Sequence, residues 1–229
     1  MIVPAAIGIS LLGSAIHGAF HRNSFVFGPV LGHLPTDERK VALTFDDGPN
    51  PDATPRILDT LGEYGVRATF FVLGSHAERW PDLVHRAVRE GHQLGNHGYF
   101  HRKLHFRTPH YVRRDVTLGK RAIERSGAPP PHFFRAPHGF RSPWVSAIAG
   151  SLGERTIGWS LGVWDSDRPG VSAIVNRTIE GVKPGSIVLL HDGDGYNADG
   201  NRLQTAAALP SIITGLRERG YEFVTLPVE

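Results

Sequence analysis

The chain contains no cysteine. That absence excludes disulfide scaffolds, thiol nucleophiles, thiolate zinc sites and iron–sulfur clusters, so any bound metal must be held by nitrogen and oxygen. It also lacks a run of five or more basic residues, and its formal net charge of +3 is too small an excess to mark a nucleic-acid protein. No glycine-rich phosphate loop follows the first apolar run, which removes the best support for nucleotide binding. No sequence repeat with a period of 20–50 residues is present.

What remains is ordinary in bulk and unusual in detail. A length of 229 residues suits one domain with a short tail, and 40% hydrophobic with 21% charged residues places the chain among globular proteins. Thirteen histidines stand against the missing cysteine, and imidazole with carboxylate can bind zinc-like ions. Residues 2–20 carry no Lys, Arg, Asp or Glu, about the length of a spanning helix, yet they include Gly8, Gly13 and Gly18 and lack a basic n-region. Two readings stay open for this leader: a membrane anchor or uncleaved signal, or a segment packed on the domain. Residues 1–36 are read as apolar leader and connecting segment, and 37–229 as the main folded domain.

From Val41 onward, short apolar runs alternate with turns and amphipathic stretches, the pattern of an α/β protein with a mainly parallel sheet. The runs Val41–Phe45, Ala68–Leu73, His92–Asn96, His132–Ala136, Thr156–Leu161, Ile187–Leu190 and Glu222–Leu226 predict seven strands. Thr54-Pro55, Thr108-Pro109 and Ser142-Pro143 read as helix starts, and Gly65, Gly91, Gly127 and Gly220 as helix stops. The alternation alone fits a barrel or an open doubly wound sheet.

The chemistry gathers at strand ends. The first run leads into Thr44-Phe45-Asp46-Asp47-Gly48-Pro49, where a sharp turn would bring two consecutive carboxylates to one place, one to hold a metal and the other left free as a base. His97 and His101, four apart, are expected on one face of a helical turn, within reach of one ion. Arg135, after two phenylalanines, is expected to pair with a carboxylate. His191 could protonate a leaving group with Asp165 holding its ring. All of these lie at the C-terminal ends of predicted strands, the edge where parallel α/β folds build their sites.

In this order the segments TFDDGP, His97-x-x-x-His101, Arg135-x-Pro137-x-Gly139, Trp159 with Asp165, and Leu189-x-His191 resemble the five motifs of the polysaccharide deacetylases, carbohydrate esterase family four. The resemblance covers about Val41 to Glu229. It implies a distorted (β/α) barrel of about seven parallel strands and a metal-dependent hydrolase that removes acetyl groups, mostly N-acetyl, from chitooligosaccharide, peptidoglycan or a related glycan. Carried onto this chain, it implies Asp46 as general base, Asp47, His97 and His101 as ligands of one divalent ion, and His191 as general acid. Zinc suits that ligand set, and cobalt, nickel or manganese would fit it too. Arg135 would orient Asp46, Asp165 (preferred to Asp167) would support His191, and Leu189 would line the acetyl pocket, with Pro137, His138, Gly139 and Trp164 beside the substrate.

The chain departs from the family pattern at Gly98, where a Ser or Thr is common, so the metal loop must draw its support from elsewhere. It departs again at His138, where Tyr or Trp is common. Tyr99, Phe100 and Phe106 are further aromatic candidates for the sugar groove, and the remaining histidines, His76 among them, are read as structural or surface residues. An extracytoplasmic or membrane-associated location is expected, with membrane contact through residues 2–20 and no nucleic-acid partner. Two other readings compete: the same metal chemistry on a non-sugar C–N bond, and a catalytically silent carbohydrate-binding relative.

Overall fold

The structure is a computed structural model that describes residues 3–228. A helix α1 (Val3–Phe20) leads into an irregular segment, after which β1 (Lys40–Asp46), α2 (Ala53–Glu63), β2 (Thr69–Val72), α3 (Gly74–Arg79), α4 (Pro81–Arg89) and β3 (Gln93–Asn96) follow. Then come α5 (Pro109–Arg125), β4 (Phe133–Phe134), α6 (Val145–Ser151), β5 (Arg155–Thr156), β6 (Leu161–Gly162), α7 (Val171–Gly181), β7 (Ser186–His191), α8 (Leu203–Glu218) and β8 (Glu222–Phe223). Among the described residues no helix is long and apolar enough to cross a membrane, so the spanning reading of the leader finds no support; Ile2, part of that stretch, lies outside the described residues.

All strand pairs are parallel, and seven strands follow the order β5-β4-β3-β2-β1-β7-β6, with β8 against the first residues of β1. Laid flat, with neighbours about 4.8 Å apart, the outer two strands would be roughly 29 Å apart. Yet β5 and β6 are joined by residues 157–160 alone, a stretch that reaches about 18 Å at most. The sheet must therefore curl into an almost closed barrel. The predicted strand Thr156–Leu161 is thus two strands on opposite edges, and the chain between them crosses the seam. Leu31 fills the gap by pairing in parallel with Ile157, so part of the expected connecting segment is built into the wall.

Alternation along the strands sorts residues between the two faces. On β1, Val41, Leu43 and Phe45 pack outward against the helices with Val72, Val188 and Leu190, while Ala42 faces an inner cluster with Phe71, Phe133, Ile157 and Ile187. By the two-residue period, Thr44 and Asp46 share the inner face of Ala42, Arg135 that of Phe133, and Leu189 and His191 that of Ile187. The polar residues at the strand ends are thereby aimed into one barrel mouth.

The helix stops lie where expected: Gly65, Gly91, Gly127 and Gly220 all have positive φ one residue past a helix C-cap. Of the three predicted starts only Thr108-Pro109 caps as read, its hydroxyl accepting from the Tyr111 N–H at 3.3 Å. At α2 the Asn50 side chain accepts from Asp52 and Ala53, freeing Thr54 to donate to Asp192 at 2.7 Å. Ser142-Pro143 forms a turn ahead of α6 instead of its cap.

Candidate active site

At the end of β1 the backbone leaves the extended region, with Asp47 at φ 71°. A non-glycine residue there costs about 1–3 kcal/mol and persists only where its surroundings hold it. Here His76 Nδ1 bonds the Asp47 carbonyl at 2.8 Å, and the Gly195 N–H donates to Asp47 Oδ2 at 3.2 Å. The twist turns Asp47 Oδ1 toward His97 Nε2, at 3.3 Å, and His101 Nε2, at 3.0 Å. Asp47 Oδ1 is buried without a hydrogen-bond partner, and the three ligand atoms lie within 4.8 Å of one another. Burial alone would raise the Asp47 pKa; the two histidines facing it hold the carboxyl well below its usual range.

The two histidines do not share a helical turn. His97 follows β3 directly, and the loop to His101 contains Gly98 at φ 77° and His101 itself at φ 51°, two left-handed residues that bring the rings together with centroids 5.4 Å apart. His97 Nδ1 is tied to the Arg135 carbonyl at 2.8 Å, which fixes the ring and leaves Nε2 facing Asp47. The support that Gly98 cannot give comes from Asp115 on α5, which accepts from the N–H groups of Tyr99 (3.3 Å) and Phe100 (3.1 Å). Asn96 Oδ1 accepts from Gly98 at 2.9 Å. Sequence reasoning missed Asp115, and its fit with Gly98 is close: a Cβ at Gly98 would stand 2.4 Å from Asp115 Oδ2.

Arg135 pairs as expected. Fully buried, it donates from Nη1 to Asp46 Oδ1 at 2.6 Å and Thr44 Oγ1 at 2.8 Å, and from Nη2 to the Gly158 carbonyl at 2.8 Å. Asp46 is left with Oδ2 free, 3.8 Å from His97 Nε2. On the neighbouring strand β7, His191 is the register partner of Asp46. Its Nδ1 meets Asp165 Oδ1 at 2.9 Å, while Asp165 Oδ2 takes the His191 N–H and the Thr205 hydroxyl, each at 2.8 Å. Burial pulls the imidazole pKa down, but the Asp165 carboxylate outweighs it with help from Asp47 and Asp46, and the value stands at about 9. Asp167 is exposed, so Asp165 is the partner.

These groups open into a cleft of about 550 Å³ that His138, Trp164 and Leu189 also line, Trp164 being 68% exposed. Pro137 and Gly139 are buried behind the wall and do not line it; a Cβ on Gly139 would lie 2.8 Å from the Trp159 ring, so this glycine makes room for an aromatic. The aromatic surface differs from the one expected. Tyr99 turns to the core and gives its hydroxyl to Glu78, and Phe100 and Phe106 lie outside the cleft. Phe20, Phe140 and Tyr196 take their place, joined through His138 to His101 by ring contacts of 4.7–5.9 Å. Phe20, the last residue of the leader, and His21 and Arg22 after it were not foreseen as wall residues.

Hydrolysis assisted by a metal ion is the chemistry such a barrel mouth is equipped for: a nitrogen and oxygen ligand set, a free carboxylate beside it and a charged imidazole opposite. The polysaccharide deacetylase profile matches residues 33–157. A peptidoglycan-N-acetylglucosamine deacetylase of Bacillus cereus is 39% identical over 204 residues, 87% of this chain and 92% of that protein. A chitooligosaccharide deacetylase of Sinorhizobium fredii is 42% identical over 199 residues, 84% of this chain and 92% of its own length. The crystal structure of a peptidoglycan N-acetylglucosamine deacetylase in complex with 4-naphthalen-1-yl-N-oxidanyl-benzamide superposes with a TM-score of 0.79 at 33% identity, covering 86% of this chain and 91% of that one. The chain belongs to the polysaccharide deacetylase family, metal-dependent hydrolases that act on carbon–nitrogen bonds other than peptide bonds in acetylated glycans.

Proposed function

We propose that this enzyme removes N-acetyl groups from a glucosamine-containing polymer of the cell wall and acts there, outside the cytoplasm. The supporting observation is the buried, unpartnered Asp47 Oδ1 faced by two histidine Nε2 atoms, with a second carboxylate free beside it. Asp47, His97 and His101 would hold one divalent ion, zinc being the best match to two imidazoles and a carboxylate. Bound there, the ion would polarise the acetyl carbonyl and make water more acidic. Asp46 Oδ2 takes the proton of the attacking water, and Arg135, by engaging Oδ1, keeps that second oxygen turned to the mouth. As the C–N bond breaks, the His191 imidazolium gives its proton to the amine nitrogen, so acetate and a free amine leave. Leu189 offers an apolar surface to the acetyl methyl, and Phe140, Tyr196 and Trp164 offer ring faces to the sugars.

Metal content and acetate release from chitooligosaccharides and from peptidoglycan test this reading. Asp46→Asn is expected to abolish turnover with the metal retained, and His97→Ala to lose the metal. A metal-loaded enzyme inactive on both glycans favours a non-sugar C–N bond. Turnover by Asp46→Asn at the unsubstituted rate refutes the assignment of the base.

A further inference from the structure

Almost every charge in the cleft is committed to a partner. Asp46 pairs with Arg135, Asp165 with His191 and Asp194 with Arg202, while Asp47 faces the two histidines. Arg22 is the exception. It lines the cleft, yet no carboxylate pairs with it among the described residues. Its position is nonetheless fixed. Nε donates to the Trp159 carbonyl at 2.9 Å, the guanidinium lies 5.3 Å from the Trp159 ring centroid, and its Cβ would touch a side chain placed at Gly139. These anchors use Nε and one face of the planar group, and among the described residues neither Nη atom has a hydrogen-bond partner.

A half-buried guanidinium held in this way has lost part of its hydration and gained no counter-charge; burial lowers its pKa, with no acid opposing the shift. The surroundings do not supply one. Arg141, buried nearby, donates to the Ser24 carbonyl at 2.5 Å and to Ser146 Oγ at 3.3 Å, again with no carboxylate. The wall therefore carries a positive charge at Arg22, with the buried Arg141 behind it and outside the cleft, unlike the acid-rich floor. It is also close to the reacting centre. The Arg22 and Arg135 guanidinium carbons lie 5.3 Å and 5.6 Å from the same Trp159 centroid, so they are at most about 11 Å apart.

Resting on the deacetylase reading above, we propose that Arg22 is a specificity residue that receives a carboxylate from a sugar neighbouring the one deacetylated. Two adjacent Nη–H groups in a planar fork match a carboxylate in geometry and charge. The preferred glycan is then acidic, of the kind in which N-acetylglucosamine alternates with a sugar bearing a lactyl ether acid, over the neutral chitin-type chain.

Binding by the zinc-loaded protein, measured by calorimetry in an Asp46→Asn background that blocks turnover, isolates this contact from the chemistry. The probes are a peptide-free tetrasaccharide of alternating N-acetylglucosamine and N-acetylmuramic acid, and chitotetraose. The acidic tetrasaccharide is expected to bind about tenfold more tightly, the size of one charge-assisted contact. Arg22→Gln brings the two affinities together and Arg22→Lys keeps part of the difference. Asn23→Ala serves as the structural control, because the Asn23 amide donates to the same Trp159 carbonyl at 3.0 Å and carries no charge. It should leave the ratio intact. Equal affinities in the parent, no binding of the acidic sugar, a preference that survives Arg22→Gln, or one lost as fully in Asn23→Ala would each overturn the proposal. The deacetylase reading fails separately, on acetate release by the unsubstituted enzyme.

Discussion

Replacing Asp165 by Asn should move the alkaline limit of activity. In its proposed role as general acid His191 must carry its proton, and its pKa of about 9 keeps it charged through neutral pH. The sign follows from the two environments. Burial acts against the charged imidazole, so removing the carboxylate that outweighs it drops the pKa toward or below the ordinary 6.5. At pH 8 the protonated fraction falls from about nine-tenths to about three-hundredths, roughly a thirtyfold loss in kcat/KM. A bound cation repels the imidazolium in both enzymes, so the difference between them survives even though both limits shift downward. The Asn oxygen can still accept from the His191 backbone N–H and the Thr205 hydroxyl, while its NH2 faces Nδ1 and favours the neutral ring, so the local structure is expected to be kept. The assay is the pH profile of acetate release for both enzymes, with circular dichroism confirming structure. A basic limb that stays in place in Asp165→Asn would refute the role of this carboxylate and of His191 as acid.

Asp115→Ala should weaken metal binding by about 10–100-fold, as loss of a group that orients a ligand loop does, read by competition with a chelator. Gly98→Ser alone should weaken it too, because of the positive φ and the 2.4 Å approach to Asp115; in the Asp115→Ala background the same substitution should cost less. Burial raises Glu154, which accepts from Asn96, to about 8 from 4.5, so the folded state favours its protonated form and loses stability as pH rises between those values. Glu154→Gln should flatten that decline in melting temperature and exceed the unsubstituted protein at pH 8.5. Chelation of the metal should lower the melting temperature, the loss of stability growing with the logarithm of affinity and reaching about 4 kcal/mol if the ion stood at a thousand times its Kd.

The strand-end residues were legible because a parallel sheet writes itself as apolar runs and because the two-residue period aims every second side chain inward. Asp46, Arg135 and His191 were read from their places at strand ends, and Leu189 was implied by the family resemblance. The loop between His97 and His101 was not legible, since its shape depends on two left-handed residues that spacing cannot distinguish from a helical turn. Asp115 reads in sequence as one more charged residue on an amphipathic helix, and only the packing of α5 against the loop between His97 and His101 gives it a task. Thr54 looked like a cap because the competing Asn50 lay four residues earlier and its true partner, Asp192, far along the chain. Phe20 and Arg22 were hidden for a related reason: a wall contributed by a segment before the first strand leaves no periodic trace.

The four residues between β5 and β6 act as a clasp. They join the two edges of the sheet covalently, and Gly158 within them takes one arm of Arg135 while the other arm holds Asp46. Barrel closure and the aim of the Asp46 carboxylate are thus read by a single side chain. Loosening the clasp by breathing, by a poorly packed Trp159 or by a displaced Leu31 would misalign the carboxylate before the fold itself is lost, making catalysis the more sensitive gauge of whether this barrel is shut.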